Sequence, residues 1–169
     1  MIKPRYFLFL IFVLSIPIKA NEIMGEFGLK FGQKIEGDVS NNSHLGILFK
    51  PTNKALGKFD EYYYKITNSS KLVSTVAAYK RNLENCSFKD TVEKELDKKY
   101  YNFKKEGGVP RIKEATYYLD FNMNSATLHC SPNKKNNTWS VSLLLLSRSM
   151  IRLGAIERMK ARQVNSKNH

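Results

Sequence analysis

Cys86 and Cys130 are the only cysteines in the chain. The compartment in which the chain folds decides whether they are two separate thiols or one covalent tie. The N-terminal segment bears on that choice. Lys3 and Arg5 give a positive start, Tyr6 to Ile18 carries no charge and is almost wholly apolar, and Ile18-Lys19-Ala20 ends on a small residue. This is the pattern of a secretory signal cut after Ala20. A membrane-spanning helix needs about 20 apolar residues, so the run is short for a span. An uncleaved anchor or a buried N-terminal helix are the competing readings. No cysteine follows the run, which excludes a bacterial lipid anchor at that point. The expected location is outside the cytosol, periplasmic or secreted, where an isolated pair of cysteines ordinarily joins. Closing a loop of this length restricts the unfolded chain by about 4 kcal/mol in the entropy model, a large part of what stabilises a small domain.

A chain of 169 residues holds one ordinary domain. The expected division is a signal peptide over 1–20, a single α+β domain over 21–147 and a basic C-terminal segment over 148–169. Hydrophobic residues at 42% and charged residues at 25% exclude wholesale disorder and multi-span membrane folds. The net charge is +13, and losing Lys3, Arg5 and Lys19 with the leader leaves +10.

Local patterns then give the elements. Phe27-Gly28-Leu29-Lys30-Phe31-Gly32 lacks the third glycine of a dinucleotide fingerprint and the Gly-Lys-Ser/Thr ending of a P-loop. It reads as a turn or short strand whose phenylalanines cover one end of the core. Phe59–Ile66 alternates Tyr62, Tyr64 and Ile66, and Leu72–Tyr79 is rich in Val, Ala and Thr. With Asn68-Ser69-Ser70 between them the two runs predict a β-hairpin. Ser87 to Tyr101 predicts the main helix, with Phe88, Val92, Leu96 and Tyr100 on one stripe. Ser87 with Asp90 has capping-box spacing, and Glu95 with Lys99 has salt-bridge spacing. Gly107-Gly108-Val109-Pro110 stops the element.

Tyr117, Leu119, Phe121 and Met123 alternate with Tyr118, Asp120, Asn122 and Asn124, which predicts one buried and one wet strand face. The strand is expected to continue through a bulge at Asn124-Ser125 to Leu128 and Cys130. Trp139 to Leu146 predicts the last strand, buried on both faces where serines give way to leucines. Residues 148–163 place Arg148, Arg152, Arg158, Lys160 and Arg162 around Met150, Leu153, Ile156 and Met159, a short basic amphipathic helix, with Val164 to His169 frayed. The predicted fold is therefore α+β: an antiparallel sheet of about four to five strands, one main helix packed on a face, and a short C-terminal helix. Cys86 at the helix entry and Cys130 on a strand would tie the two layers.

No constellation of catalytic or metal-binding type stands out. His44, His129 and His169 are scattered, with no H-E-x-x-H pair and no Gly-x-Ser-x-Gly elbow. No cofactor is expected. The strongest functional hint is Lys98-Lys99-Tyr100-Tyr101-Asn102-Phe103-Lys104-Lys105, which mixes cations with aromatic rings. Lys98, Lys99, Tyr101, Lys104 and Lys105 are the candidate contacts for an anionic partner, while the plain alternative is lysines solvating a helix end. For an exported protein that partner is an acidic protein or an anionic envelope polymer rather than nucleic acid. A membrane surface could engage residues 148–169.

Phe27-Gly28-x-x-Phe31-Gly32, Cys86, Leu96-x-x-Lys99-Tyr100 and Leu128-x-Cys130 together make the chain resemble small exported bacterial proteins of unknown function. Those proteins pair a cysteine near a helix start with one on a later strand. The resemblance, over about residues 27–147, implies export, the disulfide and the α+β layout, and carries no catalytic residue across. A fainter likeness is to small envelope-assembly lipoproteins that bind the outer-membrane barrel machinery, although their lipid-bearing cysteine is absent here. The expected function is a non-enzymatic binding module, of inhibitor or immunity type, engaging an acidic partner. The alternatives are a cell-envelope hydrolase using Asp120, His129 and a helix acid, or a peripheral membrane-associated envelope factor.

Overall fold

A computed structural model describes residues 22–37, 39, 44–52, 56–105 and 115–167. The leader, the Gly107-Gly108-Val109-Pro110 stop and His169 lie outside the described residues.

The described residues form one antiparallel sheet of seven strands and two helices. The strands are β1 (Ile47–Leu48), β2 (Glu61–Ile66), β3 (Val73–Leu83), β4 (Lys104–Lys105), β5 (Thr116–Leu119), β6 (Asn124–Asn133) and β7 (Thr138–Ser147). Their order in space is β1-β2-β3-β7-β6-β5-β4. Helix α1 (Ser87–Tyr100) and a single turn, Tyr101–Phe103, carry the chain from β3 to the far edge, and β4 to β7 then return as a meander. Helix α2 (Arg148–Lys167) leaves β7 directly. Both edge strands have only two residues; β4 is a pair of exposed lysines, and Pro51 lies just beyond β1. Short, charged or proline-flanked edges discourage pairing with another chain's strand.

The core lies on the α1 side of the sheet. Val141, Leu143 and Leu145 of β7 meet Cys130, Leu128 and Ala126 of β6 and Val76 and Ala78 of β3 on that face. Val92, Leu96 and Tyr100 close it from α1, as their four-residue spacing requires, with Phe88 half-buried at the start of the stripe. Tyr62, Tyr64 and Ile66 of β2 extend it toward β1. Phe27 plugs the end of this layer, edge-on to Phe59 and Tyr62 with ring centroids 6.0 and 5.0 Å away. The FGLKFG segment is a turn, and Gly28 is needed there. Its φ is +92°, and a Cβ would sit 1.8 Å from Thr52 Oγ1.

The Cys86–Cys130 disulfide is present, with the Cα atoms 6.0 Å apart. It joins the residue immediately before α1 to the middle of β6, so helix and sheet are linked covalently.

Four expectations are corrected. The strand count among the described residues is seven because the two-residue edge strands β1 and β4 are too short to show an alternation in sequence and the long strand expected over 117–130 is a hairpin. The chain reverses at Asp120–Met123, where Asn124 N–H donates to Asp120 Oδ1 at 2.8 Å and Met123 N–H to the Asp120 carbonyl at 3.1 Å. The alternation there is also inverted. Tyr118, Asp120 and Asn124 are buried, whereas Phe121 and Met123 are exposed. Asp120 tolerates burial because its carboxylate accepts from Asn124 and from Ile23 N–H at 3.0 Å. Ser87 is not the helix cap: Cys86 holds that position without a side-chain bond, and the Ser87 amide donates to Asn85 Oδ1 at 2.9 Å. Finally, α2 has 20 residues and runs to Lys167, longer than α1 and without the expected frayed end at Val164.

Replacing Cys86 or Cys130 with serine is expected to lower unfolding free energy by about 4 kcal/mol, by a similar amount for either position and for both together. Urea denaturation of the three variants checks this.

Candidate functional site

The lysine and aromatic run predicted as a binding patch sits where α1 passes through its final turn into β4. Two of its lysines already have partners. Lys99 Nζ bonds the buried carboxylate of Glu26, which also accepts from the Tyr100 hydroxyl. Lys104 Nζ lies 2.9 Å from both Glu93 Oε1 and Asp97 Oδ2. Glu93 takes Lys89 as well, at 2.7 Å, and the Tyr118 hydroxyl donates to Asp97 at 2.6 Å. The network pins α1 to β4, β5 and the N-terminal segment. The expected Glu95–Lys99 pair does not form, and the i,i+4 pair of this helix is Lys89–Glu93. Lys98, Lys105 and Tyr101 remain exposed. Lys89, Lys94, Lys98 and Lys99 on α1 are matched in number by Asp90, Glu93, Glu95 and Asp97. The patch thus presents little net charge.

The network shifts its members' protonation in opposite directions. Partial burial opposes the charged form of Glu93, but hydrogen bonds from Lys89, Lys104 and Thr116 outweigh it and bring its carboxyl down to about 2. Burial first, then the neighbouring carboxylates, push the Tyr100 and Tyr118 phenols well above their ordinary range. Both rings therefore remain neutral donors.

The residues suggested for a hydrolase are not brought together. Asp120 is buried at the β5–β6 turn in bonds that hold that turn, whereas His129 alternates with Leu128 and Cys130 and points to the opposite face of β6. Among the described residues, no three His, Cys, Asp or Glu side chains converge as a metal ion would require. An open cleft of about 420 Å³ lies beside β1, walled mainly by Phe49, Pro51, Phe59 and Tyr62, with Lys50 and Asp60 supplying its charges.

A second basic surface is better assembled. Helix α2 packs its first half against β3, β6 and β7 on the face away from α1. Gly154 lies close to the backbone of Thr67, with room at its Cα position only for a small side chain. Glu157 fixes the helix to the β2–β3 turn by accepting from Ser69 N–H at 2.7 Å, from Ser70 N–H at 3.1 Å and from the Ser70 hydroxyl. Burial works against its charge, but those donors prevail and hold its carboxyl below the usual range. Glu157 is the only acid on α2, and it faces inward. Arg148, Arg152, Arg158, Lys160 and Arg162 are all exposed. Arg148 stands in the first turn, where the helix dipole disfavours a cation, and no acid offsets it.

The hairpin turn beside the start of α2 contributes apolar groups that the strand pattern misassigned. Phe121 is 90% exposed although its ring touches that of Phe103, and Met123 is held at φ 62°. Met123, Leu119 and Leu146 line one recess of about 200 Å³ together with Arg148 and Ile151. Asp120 and the two asparagines of the segment Asp-Phe-Asn-Met-Asn are turn formers, the one signal that could have exposed the mistake.

Glu93 and Glu157 both have carboxyls lowered by folding, so each stabilises the native state fully above the unfolded carboxylate range, near 4.5. That contribution is lost as pH falls through the folded-state value, about 2 for Glu93. Stability should therefore drop between pH 4.5 and 2, and Glu93→Gln should lower stability at neutral pH while flattening that drop, as denaturation midpoints across the range would reveal. No helix among the described residues is long and apolar enough to cross a membrane. No family model, curated protein or solved structure matches the chain.

Proposed function

We propose that this protein is an exported, non-enzymatic binding module that holds an anionic envelope partner against the outer side of α2. The observation that carries the reading is the charge arrangement of α2: five exposed cations, with the helix's single acid turned inward onto the β2–β3 turn. Unpaired cations on a firmly docked helix attract an anionic surface at long range and lose that attraction in salt. The Lys98–Lys105 run is the weaker candidate, because Glu26, Glu93 and Asp97 neutralise half of its lysines.

The probe is a heparin column. The full chain should be retained at low salt and eluted by a salt gradient. Neutralising α2 with R152Q, R158Q, K160Q and R162Q together should move elution to much lower salt, and K98Q with K105Q should barely move it. An equal shift from both sets would remove α2 from its place in the proposal. Failure of the unaltered chain to bind at low salt would end the reading.

A further inference from the structure

The apolar groups around α2 are as unusual as its charges. Eight large hydrophobic side chains are exposed among the described residues: Met24, Leu48, Tyr101, Phe121, Met123, Ile151, Met159 and Val164. Five of the eight belong to α2 or to the β5–β6 turn beside it. Phe121 is the most exposed, and Ile151 at 42% and Met159 at 57% lie among the arginines. At 100° per residue, Arg148, Ile151, Arg152, Ala155, Met159 and Arg162 fall within about 100° of arc. They form one outward stripe in which cations and apolar groups are mixed. The recess shared by Met123, Arg148 and Ile151 makes the stripe continuous with the turn. Beyond Glu157, even the inward positions Ala161 and Val164 are exposed, so the helix projects past the body of the protein.

We infer that this end of the molecule docks on a membrane surface containing anionic phospholipid, with Phe121, Met123, Ile151 and Met159 entering the interfacial layer and the α2 arginines among the headgroups. The inference rests on the anionic-partner reading and names the partner's class. Shape separates a lipid surface from an acidic protein. A protein partner needs complementary concavity, and well-packed pockets carry the energy of such contacts. Here the apolar side chains protrude from a turn tip and from the outer side of a helix, and the two recesses that Ile151 lines, of about 200 and 180 Å³, are small. A bilayer interface accepts protruding groups one at a time, and basic side chains flanking apolar ones are the composition of an interfacial helix. The turn is built to present Phe121 stiffly. Asp120 fastens it to Asn124 and to Ile23, and Met123 closes it in the left-handed region. A flexible tip would lose more entropy on insertion.

Sedimentation of the full chain with large vesicles tests this. One set contains phosphatidylglycerol and phosphatidylcholine at about 3:7, the other phosphatidylcholine alone. Any contribution of a retained leader is common to all variants. Binding is expected to the anionic vesicles, weakly or not at all to the neutral ones, and to fall with salt. R152Q/R158Q/R162Q should weaken it about a hundred-fold. F121A with I151A should weaken it about ten-fold while leaving heparin retention unchanged. All these residues are exposed, so unaltered thermal unfolding will show that the variants remain folded. Heparin retention without vesicle binding would overturn the lipid assignment and leave an acidic macromolecule as the partner. Vesicle binding indifferent to F121A/I151A would overturn the inserted tip. Absence of both heparin and vesicle binding would overturn the lipid docking together with the reading beneath it.

Discussion

The bond between Cys86 and Cys130 secures the one long excursion in this topology. Every other strand connection is between sheet neighbours, but α1 must carry the chain from β3, near the middle, to β4 at the far edge. Closing that crossover costs chain entropy before the return strands can pair. A covalent tie from the start of α1 to β6 removes much of the cost in advance, and the apolar stripe of Val92, Leu96 and Tyr100 then has a fixed place to settle. Once β4 to β6 have returned in order, β7 fills the place between β6 and β3 and pairs with both. Its C-terminal end thereby delivers α2 to the opposite face of the sheet.

The two basic regions of the chain are thus used differently. Around β4, Lys99 and Lys104 face carboxylates brought to them by the N-terminal segment and by α1, and they hold these elements together. The arginines of α2 face solvent, because the only acid on their helix is fastened to backbone amides of the β2–β3 turn. Net positive charge is a property of the whole sequence. The part of it that acts outward is decided by which cations find an acid in the fold.

Much of the architecture was legible where one periodicity ran uninterrupted. The α1 stripe, the Tyr62-Tyr64-Ile66 alternation and the cysteine pair all read directly, whereas Leu144 and Leu146 are only half-buried, like the serines before them, so the burial on both faces expected late in β7 is not found. The sequence misled where two features shared a pattern. Tyr117 to Met123 alternates like a strand, yet Asp120 makes it a turn by meeting backbone donors of Asn124 and the distant Ile23. Local alternation carries no trace of the Ile23 contact. The charges of the Lys98–Lys105 run were visible, and so were Glu93 and Asp97 close by, but Glu26, which neutralises Lys99, was not, since it is far away in sequence. Glu157 was equally hidden: a lone acid among arginines reads as a surface residue until its turn partners are known. The surface proposed for docking was half legible, its cations evident from sequence and its apolar tip assigned to the wrong face.

Hydrogen–deuterium exchange of the full chain, alone and with anionic vesicles, tests the outward-facing role of α2 most directly. Slowed exchange confined to residues 120–124 and to the exposed length of α2, with no change over 98–105, is the expected map. Slowing centred on the Lys98–Lys105 run, or no slowing anywhere, would contradict it.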